Sequence, residues 1–121
     1  MPKVVHFEIP ADSPERAVAF YQKVFGWKAE KYGTMNYWLV TAGEEKEPGI
    51  NGAISERSST NRMTTNTISV VSFEEATEKI KAEGGQVITP KMAVPTVGYM
   101  CYCKDTEGNV FGIIQMDANS K

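Results

Sequence analysis

The apolar pattern of this chain runs through the same order of elements twice. An alternating strand, a helix and three strand-like segments occupy residues 4–56. After the polar stretch SERSSTNRMTTN (residues 55–66), a strand, a helix and three strands return over residues 65–116. Similarity at a period of about 50 residues indicates an internal repeat. The sequence therefore predicts an α+β fold of two βαβββ units within a single domain, 1–121.

The first unit begins with a strand that carries two polar residues on one face. Residues 4–9 alternate apolar and polar side chains, the period of a strand with one face in a core, so His6 and Glu8 should share the opposite face. We therefore treat His6 and Glu8 as a candidate pair.

A helix follows this strand. Ser13 fits the cap of that helix and Gly26 fits its end.

The second unit repeats this arrangement with its own capping signals. Ser72 and Glu75 form a capping-box pattern, and Gly84 closes the predicted helix. The strands expected after it are QVITP, GYMCYCK and NVFGIIQ, the last two joined by the turn DTEGN.

Charge and hydropathy exclude two classes of partner. The chain has 13 basic and 15 acidic side chains, a formal net charge of -2, and no basic stripe. This argues against nucleic-acid binding. No apolar run approaches the roughly 20 residues that cross a bilayer, and the N-terminus does not resemble a signal peptide. We expect no membrane association and a cytoplasmic location.

The two cysteines are predicted to be free thiols. Cys101 and Cys103 lie two residues apart in a predicted strand, so their side chains share a face at the outer limit for a disulfide. With one histidine in the chain, a zinc tetrad is not available, and small apolar fillers are the favoured interpretation over a metal or redox role.

Two stretches carry a family resemblance: HFEIPADSPERAVAFYQKVFGW opens the first unit and DTEGNVFGIIQ closes the second. Their motifs, FY-x-x-x-FGW and D-x-x-G-N-x-F-G, make the chain resemble the vicinal oxygen chelate superfamily, which includes glyoxalase I, bleomycin-resistance proteins and extradiol dioxygenases. Short glyoxalase-like proteins with a PGINGAI strand are the most similar. The resemblance implies a curved sheet enclosing a small-molecule cleft. Because sheet edges remain to be covered, we also expect a homodimer.

Family enzymes hold a divalent metal with ligands from both units and use it as a Lewis acid. The resemblance places His6 at the first ligand position. Gly112 replaces the usual glutamate, and the other two positions fall near Thr65 or Asn66 and near Gly52. No metal and no cofactor are therefore expected, and lactoylglutathione lyase activity is disfavoured. A displaced divalent site built from His6 and Glu8 with Asn51 or a cysteine remains an alternative.

The remaining candidates concern ligand contact. His6 and Glu8 would form an acid/base pair in which the carboxylate fixes the histidine tautomer. Tyr37 and Trp38 should face opposite ways, an orientation that period alone does not fix. We name Trp38, Asn51 and Tyr99 as candidate substrate-binding residues. The segment TPKMAVPTVGYM before and at Tyr99 is either a rim over the pocket or an edge strand shaped by proline.

Three functional hypotheses follow. The favoured one is a glyoxalase-like protein that binds or transforms a small metabolite in a metal-poor cleft. The second is a metal-dependent lyase, isomerase or dioxygenase with relocated ligands. The third is a drug-sequestering protein of the bleomycin-resistance kind. Whether the protein is an enzyme is left open by the sequence.

Overall fold

The computed structural model describes all residues, 1–121. The chain divides into two compact units. The first unit is His6–Thr65, and the second joins Met1–Val5 to Asn66–Lys121. The elements in chain order are β1 (Lys3–Ala11), α1 (Pro14–Phe25), β2 (Lys28–Lys31), β3 (Tyr37–Thr41), β4 (Gly52–Glu56), β5 (Thr65–Ser69), α2 (Phe73–Ala82), β6 (Gln86–Val87), β7 (Met92–Val94), β8 (Gly98–Lys104) and β9 (Val110–Met116).

The first unit contains four strands in the order β2-β3-β4-β1. β1 runs parallel to β4, with Phe7 opposite Gly52, whereas β3 is antiparallel to both β2 and β4. A parallel pair needs a long crossover, and α1 with β2 and β3 supplies it. This is the predicted βαβββ order.

Helix α1 covers one face of this sheet. The Ser13 hydroxyl accepts a hydrogen bond from the Arg16 N–H, and Gly26 ends the helix at φ 72°, a left-handed conformation that glycine adopts at little cost. Val18 packs from the helix into a cluster with Val40 and Ile54. Burial of these side chains fixes which face of β1 turns inward, and hence where His6 and Glu8 lie.

The second unit repeats the topology in the order β5-β9-β8-β6. β5 runs parallel to β9, and β8 is antiparallel to β9 and β6. Helix α2 begins where the Ser72 hydroxyl accepts from the Glu75 N–H at 3.2 Å, as the capping pattern predicts. Phe73 from this helix packs on Cys101 and Cys103. The predicted fold of two βαβββ units is thus confirmed.

One detail of the second unit differs from the expectation. QVITP forms only the two-residue strand β6, because the N–H groups of Ile88 and Thr89 both turn to the Tyr102 carbonyl and Pro90 has no N–H to continue a ladder. Pairing with β8 resumes in β7, a strand absent from the predicted set. The segment TPKMAVPTVGYM therefore contains an edge strand, one of its two predicted alternatives.

None of the helices in the structure has the length and apolar character needed to cross a membrane.

Candidate functional site

The candidate site lies on the face of the first unit's sheet that α1 does not cover. In β1, Phe7 and Ile9 pack against the core cluster, so His6 and Glu8 point to the opposite face. Glu8 is nevertheless only 4% exposed. A carboxylate buried to this degree needs hydrogen-bond donors around it.

Two side chains donate to that carboxylate. The Tyr37 hydroxyl lies 2.7 Å from Glu8 Oε2, and Asn61 Nδ2 lies 2.8 Å from Glu8 Oε1. The Tyr37 hydroxyl also lies 3.2 Å from His6 Nε2. We call these four residues the polar cluster: His6, Glu8, Tyr37 and Asn61. It joins the predicted acid/base pair through a tyrosine that stands between them.

The hydrogen-bond directions fix the histidine tautomer. An ionised carboxylate accepts only, so the Tyr37 hydroxyl hydrogen is used on Glu8. The Tyr37 oxygen can then only accept from His6, which places the imidazole proton on Nε2 and leaves a lone pair on Nδ1. Glu8 thus orients His6 through Tyr37, and the predicted influence of the carboxylate on the tautomer is indirect.

Burial lowers the pKa of His6 below its ordinary value of 6.5, and the negative charge of Glu8 opposes that shift without cancelling it. Desolvation penalises the charged imidazolium, whereas a nearby carboxylate favours it. The net direction keeps the imidazole neutral at physiological pH, which is the form that can accept a proton.

The aromatic residue of the site is Tyr37 and not the candidate Trp38. Across β3 and β4, Tyr37 stands opposite Ser55 and Trp38 opposite Ile54. Ile54 is fully buried in the core cluster, and Trp38 packs against that cluster. Trp38 therefore lies on the α1 side of the sheet. The position of α1 in the fold decides whether Tyr37 or Trp38 faces the core. The alternation of side chains along a strand does not carry this information.

Asn61 is the member of the cluster that sequence reasoning missed. It belongs to the polar stretch between β4 and β5, which resembles a linker because it has almost no apolar residues. Arg57 anchors this stretch, since its guanidinium contacts Asp12 and its N–H donates to the Ala11 carbonyl. Nothing in the local pattern of the stretch distinguishes Asn61 from its polar neighbours.

Asn51 and Tyr99 have other surroundings. Asn51 is exposed, and its Oδ1 accepts from the Ala42 N–H at 3.0 Å, which ties together the loop between β3 and β4. The Lys91 ammonium lies 4.8 Å from the centre of the Tyr99 ring. Tyr99 shares its face of β8 with Cys101 and so belongs to the side that packs on α2. Neither residue joins the polar cluster.

The two cysteines are free and fully buried, as predicted for their redox state. Their sulfur atoms lie 3.7 Å apart within the core of the second unit. The contact with Cys103 lowers the pKa of Cys101, while the same contact and burial raise the pKa of Cys103.

The family's metal does not fit the residues at the expected ligand positions. Gly52 pairs with Phe7 and therefore faces the core, and a Cβ atom built there would lie 2.4 Å from the Phe7 carbonyl oxygen. At Gly112 a Cβ atom would lie 3.0 Å from the Thr67 hydroxyl. No three His, Cys, Asp or Glu side chains gather into a group that could hold a metal ion. These positions therefore do not supply the ligand set that the family's metal needs.

The comparisons with known proteins decide the family. A model of the Glyoxalase/Bleomycin resistance protein/Dioxygenase superfamily matches residues 3–113. The chain belongs to that superfamily. The resemblance drawn from the two motif stretches is thereby confirmed. No curated protein sequence matches the chain significantly.

Solved structures of other proteins share the fold at low identity. A hypothetical protein from Bacillus halodurans C-125 has a TM-score of 0.69 at 14% identity, with 99% of this chain and 98% of that chain covered. A glyoxalase/bleomycin resistance protein/dioxygenase superfamily member from Vibrio splendidus 12B01 has a TM-score of 0.69 at 11% identity, covering 97% and 100%. A Streptomyces coelicolor methylmalonyl-CoA epimerase variant, in complex with 2-nitronate-propionyl-CoA, has a TM-score of 0.69 at 12% identity, covering 98% and 97%. At these identities the likeness establishes the fold alone.

Proposed function

We propose that this protein binds a small metabolite at the polar cluster and, without a metal, removes a proton from that metabolite and returns it, with His6 as the base. The observation that carries the proposal is the hydrogen-bonded chain from His6 Nε2 through the Tyr37 hydroxyl to Glu8 Oε2. A histidine whose pKa is lowered by burial and which is joined in this way to a carboxylate is typical of catalytic acid/base sites.

The chain of hydrogen bonds suits His6 to accept a proton at Nδ1. In the neutral form Nδ1 carries the lone pair, because Nε2–H donates to Tyr37. When Nδ1 gains a proton, the positive charge on the ring is stabilised by the Glu8 carboxylate, polarised through the Tyr37 hydroxyl. The imidazolium form of His6 then returns this proton from Nδ1 to the substrate carbanion or enolate.

The reaction class that fits one base and no metal is proton exchange at a carbon next to a carbonyl group. Such C–H bonds are acidic enough for a positioned imidazole to act on, and general base catalysis of this kind contributes roughly 10²- to 10⁴-fold. The epimerase among the structural neighbours makes carbon acids the first class of compound to test.

Deuterium exchange tests the proposal directly. The protein is incubated in D₂O with a panel of small 2-oxo acids, hydroxyketones and acyl thioesters, and loss of the C–H signal is followed by proton NMR. We expect exchange of at least one member, a loss of about 100-fold or more in H6Q, and no loss in the matched variant Y32F, whose ring touches Tyr37 without joining the cluster. Exchange that survives H6Q, or that needs an added divalent ion, would overturn the proposal.

A further inference from the structure

The amide of Asn61 is held in one orientation by Glu8. Because the carboxylate only accepts, the Nδ2 group must face Glu8 Oε1, at 2.8 Å, and Oδ1 must point away from it. Asn61 Oδ1 is buried and has no hydrogen-bond partner within the protein. An acceptor beside the polar cluster thus lacks a donor.

Ser55 supplies a second such atom on the same face of the sheet. It stands opposite Tyr37 on β3 and opposite Pro10 on β1, so its side chain points to the side that carries Glu8. Ser55 is 6% exposed, and its hydroxyl oxygen has no partner in the protein. Buried polar atoms are nearly always hydrogen-bonded, so this hydroxyl needs a partner that the chain itself does not supply.

We propose that the ligand of this site presents a hydrogen-bond-donating end, a hydroxyl or an ammonium group, to Asn61 Oδ1 and Ser55 Oγ. A carboxylate carries only acceptors at neutral pH and would set an acceptor against Asn61 Oδ1. A donor satisfies that oxygen, and the Ser55 hydroxyl can accept from or donate to the same end of the molecule. The inference deepens the proposed function and rests on it, since it names the class of compound bound at the polar cluster.

Asn61 and Ser55 belong to different parts of the first unit. Residues 58–60 and 62–64 on either side of Asn61 are exposed, whereas Ser55 lies in the sheet. The donor end is therefore expected to contact the stretch and the sheet together.

Three probes of similar size separate the alternatives. Hydroxyacetone carries a neutral hydroxyl and a ketone, ethanolamine carries an ammonium and a hydroxyl, and pyruvate carries a ketone and a carboxylate without a donor. Each is titrated into the ¹⁵N-labelled protein, and the side-chain amide signals of Asn61 are followed by NMR. We expect saturable shifts at about 10 to 100 mM for hydroxyacetone, ethanolamine or both, and none for pyruvate. The stronger of the two binders identifies a neutral or a cationic donor end.

Matched variants locate the contact. S55A should weaken binding of the preferred probe about three- to tenfold, while S59A, an exposed serine of the same polar stretch, should leave it unchanged. Pyruvate binding as strong as that of hydroxyacetone, absence of shifts with all three probes, or equal behaviour of S55A and S59A would each overturn the inference. Failure of the proposed function alone is distinguished by the deuterium-exchange test, in which exchange would be absent although the Asn61 signals still shift with a probe.

Discussion

The Tyr37 hydroxyl donates to the buried Glu8 carboxylate at 2.7 Å from a strand that is separated from β1 by β4. Because the Tyr37 hydroxyl hydrogen is donated to Glu8, the Tyr37 oxygen accepts from His6, and the imidazole proton lies on Nε2. The bond also supplies one of the hydrogen bonds that the Glu8 carboxylate, only 4% exposed, needs in its buried position. It therefore links the stability of the first unit to the chemistry proposed for it.

Removal of the Tyr37 hydroxyl should destabilise the protein. In Y37F the Glu8 carboxylate loses a donor while it stays buried, so we expect the free energy of unfolding to fall by about 1–3 kcal/mol. Urea denaturation followed by tryptophan fluorescence measures the change. Y32F removes a hydroxyl from the neighbouring ring and should cost less than about 0.5 kcal/mol. Equal losses in the two variants would show that the Tyr37 bond to Glu8 contributes nothing specific.

The lowered pKa of His6 predicts how stability changes with pH. The unfolded chain binds the histidine proton near pH 6.5, whereas the folded protein binds it only at lower pH. Between the two values the unfolded state holds more protons. The contribution of His6 to the free energy of unfolding should therefore fall as pH decreases through about 6.5 and level off below the folded pKa. Denaturation of the wild type and H6Q across this range isolates the contribution, because the slope should be smaller in H6Q. Identical slopes would contradict the lowered pKa.

A side chain at Gly52 should not be tolerated. Its Cβ atom would lie 2.4 Å from the Phe7 carbonyl oxygen, which belongs to the backbone and cannot move aside without disturbing β1. We expect G52A to cost about 2 kcal/mol or more, and G112A, whose new Cβ lies 3.0 Å from the Thr67 hydroxyl, to cost less. Thermal unfolding compares the two. A stable G52A protein would reopen the possibility of a ligand from this position.

Metal binding should be absent or weak. His6 is the single histidine, Gly52 and Gly112 offer no side chain, and the chain gathers no group of three potential ligands. Elemental analysis of tag-free protein purified without chelator should find far less than one equivalent of any divalent transition metal. A stoichiometric ion that disappears in H6A would contradict this expectation and would favour a metal-dependent lyase, isomerase or dioxygenase.

The order of elements could be predicted from the sequence because it depends on local signals. The alternation in β1, the caps at Ser13 and Ser72 and the turn at Gly108 each act over a few residues, and their repetition defines the two units. The short strand β7 could be predicted only as one of two alternatives for its segment, because its pairing depends on β8 and on the amide arrangement before Pro90, neither of which is a local property.

The site could be predicted only where it follows from the alternation of a strand. His6 and Glu8 share a face because they are two residues apart. Tyr37 reaches them across β4, and Asn61 arrives from a stretch with no periodicity, so both contacts depend on tertiary structure. The orientation of Tyr37 and Trp38 depends on tertiary structure in the same way, because the packing of α1 decides which of the two side chains faces the core.

Nitrogen NMR of the one histidine gives the most direct test of the central claim. With a single imidazole in the chain, the ¹⁵N signals of His6 need no assignment by mutation. We predict a neutral ring at pH 7 with the proton on Nε2, a pKa below 6.5, and a further decrease in E8Q, since the Glu8 charge raises that pKa. In Y37F the Nε2–H tautomer should lose its dominance. A ring that carries its proton on Nδ1, or a pKa that E8Q leaves unchanged, would contradict the His6–Tyr37–Glu8 chain and the function built on it.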